Sequence, residues 1–423
     1  MTPTHHPTER SNRAAVRQSN ALLRSRWFAL AVLTLVGAFN WADRQVVPIL
    51  FPGIRADLGL SDTQLGIIGG LAFSLIYAVS ALAFGYAADR YLRTRIIVFG
   101  LVLWSAATAA SGLATGFWSL FAARFFTGIG EATLYPCALS IIGERFSLHE
   151  RGKAIGIYQA SAAIGGGLGI GLGGALFARL GWRNVFFLYG GAGLLMIPFL
   201  LSLHESPRPT STSAADSAGA ALRDLLKDRR LRWLWGTGTL AIACGQGFGA
   251  WGPSYLVREL EYDVAAAGAV FGVAGLGGGI LGGILGGFLA DRCRRARLGG
   301  EFDVATGAAL TAGAFLTVLL SAGHGPLTAA SGIVATLAIY SLFPGVLSAM
   351  LSMVPAKRHG LGGAVNAILF GGVGAASGPF VVGAISDAQG SLHTALSVPT
   401  VGLFATAVIA AITGRIMRAQ SEP

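Results

Sequence analysis

Asn40-Trp41-Ala42-Asp43-Arg44 lies inside the apolar run from Trp27 to Leu50. A helix crosses a bilayer core of ~30 Å with about 20 apolar residues, so the run is long enough to span. Yet it holds a carboxylate and a guanidinium side by side. On insertion scales each such group costs about 2.5–3.5 kcal/mol at mid-membrane. Ionisable groups retained there mark function and demand partners elsewhere in the chain. The stretch therefore reads as a membrane span by length and as a site by charge.

Composition agrees with the first reading. Of 423 residues, 53% are hydrophobic and 12% charged, against about 25% charged in soluble domains. The net charge of +11 would suggest nucleic acid on a soluble surface. Here the charge falls in loops between apolar runs, so no nucleic-acid partner is expected. Cys137, Cys244 and Cys293 show no ligand spacing, and neither a disulfide, a metal nor another cofactor is expected. Nothing pairs a nucleophile with a base, so an enzyme is not expected. Arg10, Arg13, Arg17, Arg24 and Arg26 precede the first run, which is too long for a signal-peptide core. It reads as an uncleaved first helix.

Twelve spans are predicted, at 27–50, 63–88, 96–114, 117–142, 153–178, 184–203, 232–257, 265–290, 303–321, 326–354, 361–384 and 392–416. The resulting organisation is a tail (1–26), a six-helix bundle (27–203), a polar linker (204–231), a second six-helix bundle (232–417) and a short tail (418–423). With the N-terminus inside, 25 of the 31 Lys and Arg fall in cytoplasmic segments. Four, Arg55, Arg179, Arg183 and Arg258, fall outside. That asymmetry places both termini in the cytoplasm. A multi-pass protein of the inner (plasma) membrane, monomeric, is expected.

The halves repeat. Gly85-Tyr86-Ala87-Ala88-Asp89-Arg90, with Arg93, follows span two. Gly287-Phe288-Leu289-Ala290-Asp291-Arg292, with Arg295, follows span eight, 202 residues on. Repeated halves are characteristic of transporter folds. The first copy, together with Arg124-Phe125-Phe126-Thr127-Gly128-Ile129-Gly130 and Gly181-Trp182-Arg183, resembles the signatures of the major facilitator superfamily. The likeness covers nearly the whole chain. It implies an all-α membrane fold of twelve helices in two six-helix bundles around a central cavity.

Three further stretches resemble the Spinster family: Asn40–Arg44, Phe51-Pro52-Gly53-Ile54-Arg55-Ala56-Asp57-Leu58-Gly59-Leu60-Ser61, and Gly128-Ile129-Gly130-Glu131-Ala132. That likeness implies transport of sphingolipids or lysophospholipids, with proton coupling in some members. Organic-anion symporters share the Asp-Arg pair and the Leu-Gly-Leu-Ser run. Transport of a small organic anion or drug is therefore the alternative reading, and a non-translocating receptor or scaffold a distant one.

Four charges lie well within spans: Asp43, Arg44, Arg124 and Glu131. Together they are neutral, as a low-dielectric interior requires. Arg124, Gly128, Glu131 and Tyr135 share one face of span four at helical spacing. By axial rise Asp43 and Arg124 each lie about 10 Å from the outer end of their spans, so they are expected to pair. Glu131 lies about 10 Å deeper and is within reach of Arg44 only if both side chains extend or the helices tilt. The four are expected to carry proton coupling. Asn40, Tyr135, Gln246, Trp251, Ser254, Tyr340, Ser341 and Phe343 are expected to line the cavity. So few polar groups suit an amphipathic ligand with one charged end.

Gly165, Gly169 and Gly173 on span five, and Gly275, Gly279, Gly283 and Gly287 on span eight, form small-residue stripes that admit close helix contact. By resemblance, both stripes face the boundary between halves. Also by resemblance, Gly85, Asp89, Arg90 and Arg93, with Gly287, Asp291, Arg292 and Arg295, close the cytoplasmic side.

Overall fold

A computed structural model describes residues 25–88, 90–203, 205, 218–297, 299–355 and 358–419. Asp89 lies outside them. Among the described residues, twelve long helices follow one another. The first six are α1 (Arg26–Leu58), α2 (Asp62–Ala88), α3 (Arg93–Ser111), α4 (Phe117–Arg145), α5 (Leu148–Leu180) and α6 (Trp182–Leu201). The second six are α7 (Arg229–Arg258), α8 (Val264–Ala296), α9 (Glu301–Ser321), α10 (Pro326–Met353), α11 (Leu361–Gln389) and α12 (Leu392–Ala419). Ten carry a strongly apolar window. The two that do not are α1 and α7, 33 and 30 residues long. Their polar residues, Asn40 to Gln45 and Gln246, dilute the hydropathy.

The core shows how the bundles meet. At the end bearing the α1–α2 turn, which the loop charges read as outer, one apolar cluster draws on both bundles and includes Phe51, Phe186, Trp251, Phe271 and Leu396. Toward the other end each bundle has its own cluster, around Trp104 and Ile141 in the first and Leu234, Phe302 and Val346 in the second. The halves thus share one buried core at the outer end and have separate cores toward the other, though α5 still touches α8 at Ala163 and Gly279. A short linker helix, Ala218–Lys227, packs on the second bundle through Leu225.

Close backbone contact sets the geometry of α5, and it corrects one expectation. A Cβ on Gly165 would fall 2.0 Å from the Ala38 carbonyl, and one on Gly169 2.6 Å from that of Ala42. This stripe docks α1 within its own half. The contact between halves uses the next face, where Gly167 and Gly174 meet Gly272 and Gly268 of α8. Two residues turn a helix by about 200°, so one stripe cannot serve both neighbours.

Helix α4 is interrupted directly after Glu131: its regular turns run Phe117–Glu131 and resume at Leu134. Pro136 has no N–H for the Ala132 carbonyl. The Thr133 hydroxyl, within the interruption, donates to the Gly130 carbonyl (2.8 Å). Beyond the break stands Tyr135. Its ring lies 6.2 Å from that of Tyr158 on α5.

Candidate functional site

Asp43 and Arg44 are adjacent on α1 and so point about 100° apart. Arg44 crosses to α4, where its Nη2 lies 3.0 Å and its Nε 3.3 Å from Glu131 Oε2. The Glu131 side chain is fully buried; that of Arg44 keeps 20% exposure. Rings of Trp41, Phe73 and Tyr77 surround the guanidinium at 4.5–4.6 Å. Such cation–π contacts strengthen when desolvated.

Asp43 turns the other way, to α3, where the buried Thr108 hydroxyl donates to its Oδ2 at 2.6 Å. Its Oδ1 has no hydrogen-bond partner. Arg124 is 2% exposed, with its guanidinium 5.5 Å from the Phe73 ring and its Nε and Nη1 unbonded. The direct ion pair is therefore Arg44–Glu131, and the expected Asp43–Arg124 contact is not made. Axial rise treats residues as points. It omits the length of an arginine side chain, which carries its charge along the helix.

Two adjoining lobes lie in this region. One, of about 190 Å³, is lined by Trp41, Arg44, Gln45, Ser74, Tyr77 and Gln246 and by apolar residues of α2, α7 and α11. The other, of about 210 Å³, is lined mainly by Ile170, Phe248, Phe271, Ile339, Tyr340 and Phe343. Trp41, Gln45, Ile242 and Gln246 belong to both. One lobe is built around a cation and the other around rings and aliphatic groups.

Of the remaining residues read as cavity-lining, Gln246, Tyr340 and Phe343 border these lobes. Trp251 and Ser254 are fully buried. Trp251 donates its indole N–H to the Pro379 carbonyl (2.8 Å) and packs on Phe51 at 5.1 Å, plugging the outer end. The Ser341 hydroxyl donates back to Leu337 (2.9 Å). Asn40 is buried with its Nδ2 unbonded.

Beyond the plug the bundles are tied by charge. Asp62, at the start of α2, meets Arg258 of α7 (2.8 Å), Arg55 of α1 (3.2 Å) and the Ser386 hydroxyl of α11 (2.7 Å). In return, the Asp387 carboxylate of α11 accepts from the backbone N–H groups of Asp62 (2.9 Å) and Thr63 (2.7 Å). Sequence reading missed this cluster, because its members resemble ordinary loop charges.

At the opposite end the described ion pairs stay within one bundle. Arg93 binds Glu205, beyond α6, and Glu144 of α4. Glu205 also accepts from the backbone N–H and hydroxyl of Thr94 (2.8 Å each). Burial would push the Glu205 carboxyl up, but the bonds from Thr94 and Arg93 outweigh it and hold it below its usual range. Arg90 stacks on Tyr86. Asp291 pairs with Arg294 (3.1 Å), while Arg292 and Arg295 are exposed. The motif glycines are equivalent in space: a Cβ on Gly85 would lie 4.0 Å from Pro136 of α4, and one on Gly287 3.7 Å from Pro344 of α10.

The sequence model of the Major Facilitator Superfamily matches residues 33–379. The chain belongs to the Major Facilitator Superfamily. Within the superfamily it resembles Protein spinster homolog 3 of Danio rerio, at 28% identity over 88% of this chain and 79% of that protein. It is also similar to the "Probable galactarate/D-glucarate transporter" of Bacillus subtilis (strain 168), at 27% identity over 90% of each. For two further relatives the match spans 63% and 62% of their own length. Among solved structures, a bacterial homologue of the human lysosomal transporter Spinster, inward-facing and unoccupied, superposes with a TM-score of 0.78. It covers 93% of this chain and 97% of that one at 22% identity, a likeness of fold. Major facilitator transport works by rocking two halves about a central site. In this member the Arg44–Glu131 pair and both lobes lie where the two halves meet.

Proposed function

We propose that the chain moves an amphipathic, lipid-like substrate with one charged end, of the lysophospholipid or sphingoid type, by proton-coupled alternating access. The observation that carries this reading is the pair of adjoining lobes, one beside Arg44 and one apolar, which share Trp41, Gln45, Ile242 and Gln246. A head group meets the guanidinium, which binds phosphate or carboxylate in a bidentate manner. The tail takes the lobe lined by Phe248, Phe271 and Phe343. Glu131 competes with the head group for Arg44. Protonating Glu131 removes that competitor and leaves a net positive charge to bind an anionic head group. Asp43 exchanges a proton along with Glu131, and Arg124 completes the charge balance behind them.

Alternating access is the rocking of the bundle 27–203 against 232–417. The joined outer end and separate inner ends support an inward-facing state, with both termini in the cytoplasm of an inner-membrane, monomeric protein. In the opposite state the loops holding Gly85, Asp89, Arg90 and Arg93, and Gly287, Asp291, Arg292 and Arg295, come together and close the cytoplasmic side.

The likeness to the B. subtilis protein favours a second reading, a small organic anion on the same Arg44. The test is uptake of labelled lysophospholipid into proteoliposomes, with and without an imposed pH gradient. Gradient-driven uptake is the expected result. Lipid uptake indifferent to the gradient refutes coupling. Absence of lipid uptake, with gradient-driven uptake of a dicarboxylate, refutes the lipid tail.

A further inference from the structure

We propose that Thr108 of α3 is the positioning residue that sets when Asp43 carries a proton. The inference rests on the reading that proton exchange at the buried charges drives transport.

Serine and threonine hydroxyls within helices usually donate to the carbonyl four residues back. Thr34, Ser111 and Thr127 do so here. Thr108 sits on the same helix as Ser111, yet its single proton goes to Asp43 Oδ2. That is the only hydrogen bond described for the Asp43 side chain, whose Oδ1 is buried and unbonded.

Every other charged or titratable group near Asp43 acts without a direct bond. Arg124 and Glu131 of α4, and Arg44 of its own helix, act as charges. Tyr189 of α6 is near, but its hydroxyl donates to the Gly169 carbonyl of α5 (3.0 Å). One hydroxyl therefore fixes the orientation of the carboxylate.

A hydroxyl both donates and accepts. Facing ionised Asp43, Thr108 donates and favours the charged form, as hydrogen bonds to a carboxylate do. Facing protonated Asp43, the same oxygen accepts the carboxyl O–H, and the threonine proton turns back to the Trp104 carbonyl at i−4. Both states keep their hydrogen bonds, so the proton comes and goes without an orphaned buried group. The exchange moves one proton and breaks no covalent bond of the threonine.

The test compares T108V, which removes the hydroxyl, with T108S, which keeps it. T108A is a second deletion for use if valine disturbs folding. Two readouts are needed: the pH profile of gradient-driven uptake, and an infrared titration of the Asp43 carboxyl, identified by its loss in D43N. T108V and T108A are expected to shift both midpoints about one unit to higher pH, a tenfold gain in proton affinity. T108S is expected to keep the wild-type midpoints. Unchanged midpoints in T108V and T108A, or an equal shift in T108S, overturn the proposal. Wild-type uptake indifferent to the gradient would overturn the coupling reading instead, and the infrared titration would still judge Thr108.

Discussion

Arg44 and Glu131, 87 positions apart, share a single carboxylate oxygen: both Nε and Nη2 of the arginine point at Oε2, while Oε1 is buried without a partner. Breaking a buried pair by removing one member costs about 3–5 kcal/mol, because the other charge is left uncompensated. R44A is therefore expected to lower the melting temperature sharply. R44A/E131Q should recover most of that loss, yet transport nothing. A double-mutant cycle of thermal melts and uptake checks both. If R44A melts like the wild type, the pair carries no stability.

The outer tie makes a conformational prediction. D387N and R258Q weaken charge-assisted bonds to α2, each contributing about 1.5–3 kcal/mol. At 1.4 kcal/mol per decade, either change should move the equilibrium toward the outward-open state at least tenfold. Spin labels on the α3–α4 and α9–α10 turns would report a longer distance. An unchanged distance distribution would show that the apolar plug alone holds the end shut.

A packing prediction concerns the α1–α5 contact. G165V places carbon where the Ala38 carbonyl stands, and overpacking of this kind costs about 1–3 kcal/mol. G236A meets nothing within 4 Å and removes backbone freedom from the unfolded chain, a gain of about 0.4–1 kcal/mol. Melting temperatures in detergent should move in opposite directions.

Glu205 gives the pH dependence. Its folded carboxyl is held below the ordinary value of 4.5. The stabilisation is thus fully present above that value and is lost as pH falls through the lower, folded one. The wild type should lose thermal stability steeply below about pH 4.5, and E205Q, which lacks the ionisable group, less steeply. Parallel profiles for the two proteins would assign acid sensitivity elsewhere.

The spans, the paired halves and the four buried charges were legible because a bilayer penalises charge and because loops carry topology in their arginines. The partnerships were not. Which acid Arg44 meets depends on side-chain reach, which axial spacing alone does not give. Thr108 was invisible for a different reason: a threonine in a helix normally satisfies itself, and nothing in the sequence marks the one that does not. The glycine stripe of α5 was legible as a contact surface, but not which neighbour it touches, since two stripes interleave on the same helix. Even the hydropathy deficit of α1 and α7 carried information, falling on two helices that line both lobes.

The capping of α2 by Asp387 has a consequence for water. Two backbone N–H groups at the start of α2, in one bundle, are satisfied by a carboxylate from the other. When the outer end parts, those groups and the carboxylate lose one another and must be hydrated. Opening outward is then an uptake of water as well as a rotation, and its equilibrium depends on water activity. Excluded osmolytes such as sucrose favour the less hydrated form, so they should hold the door closed.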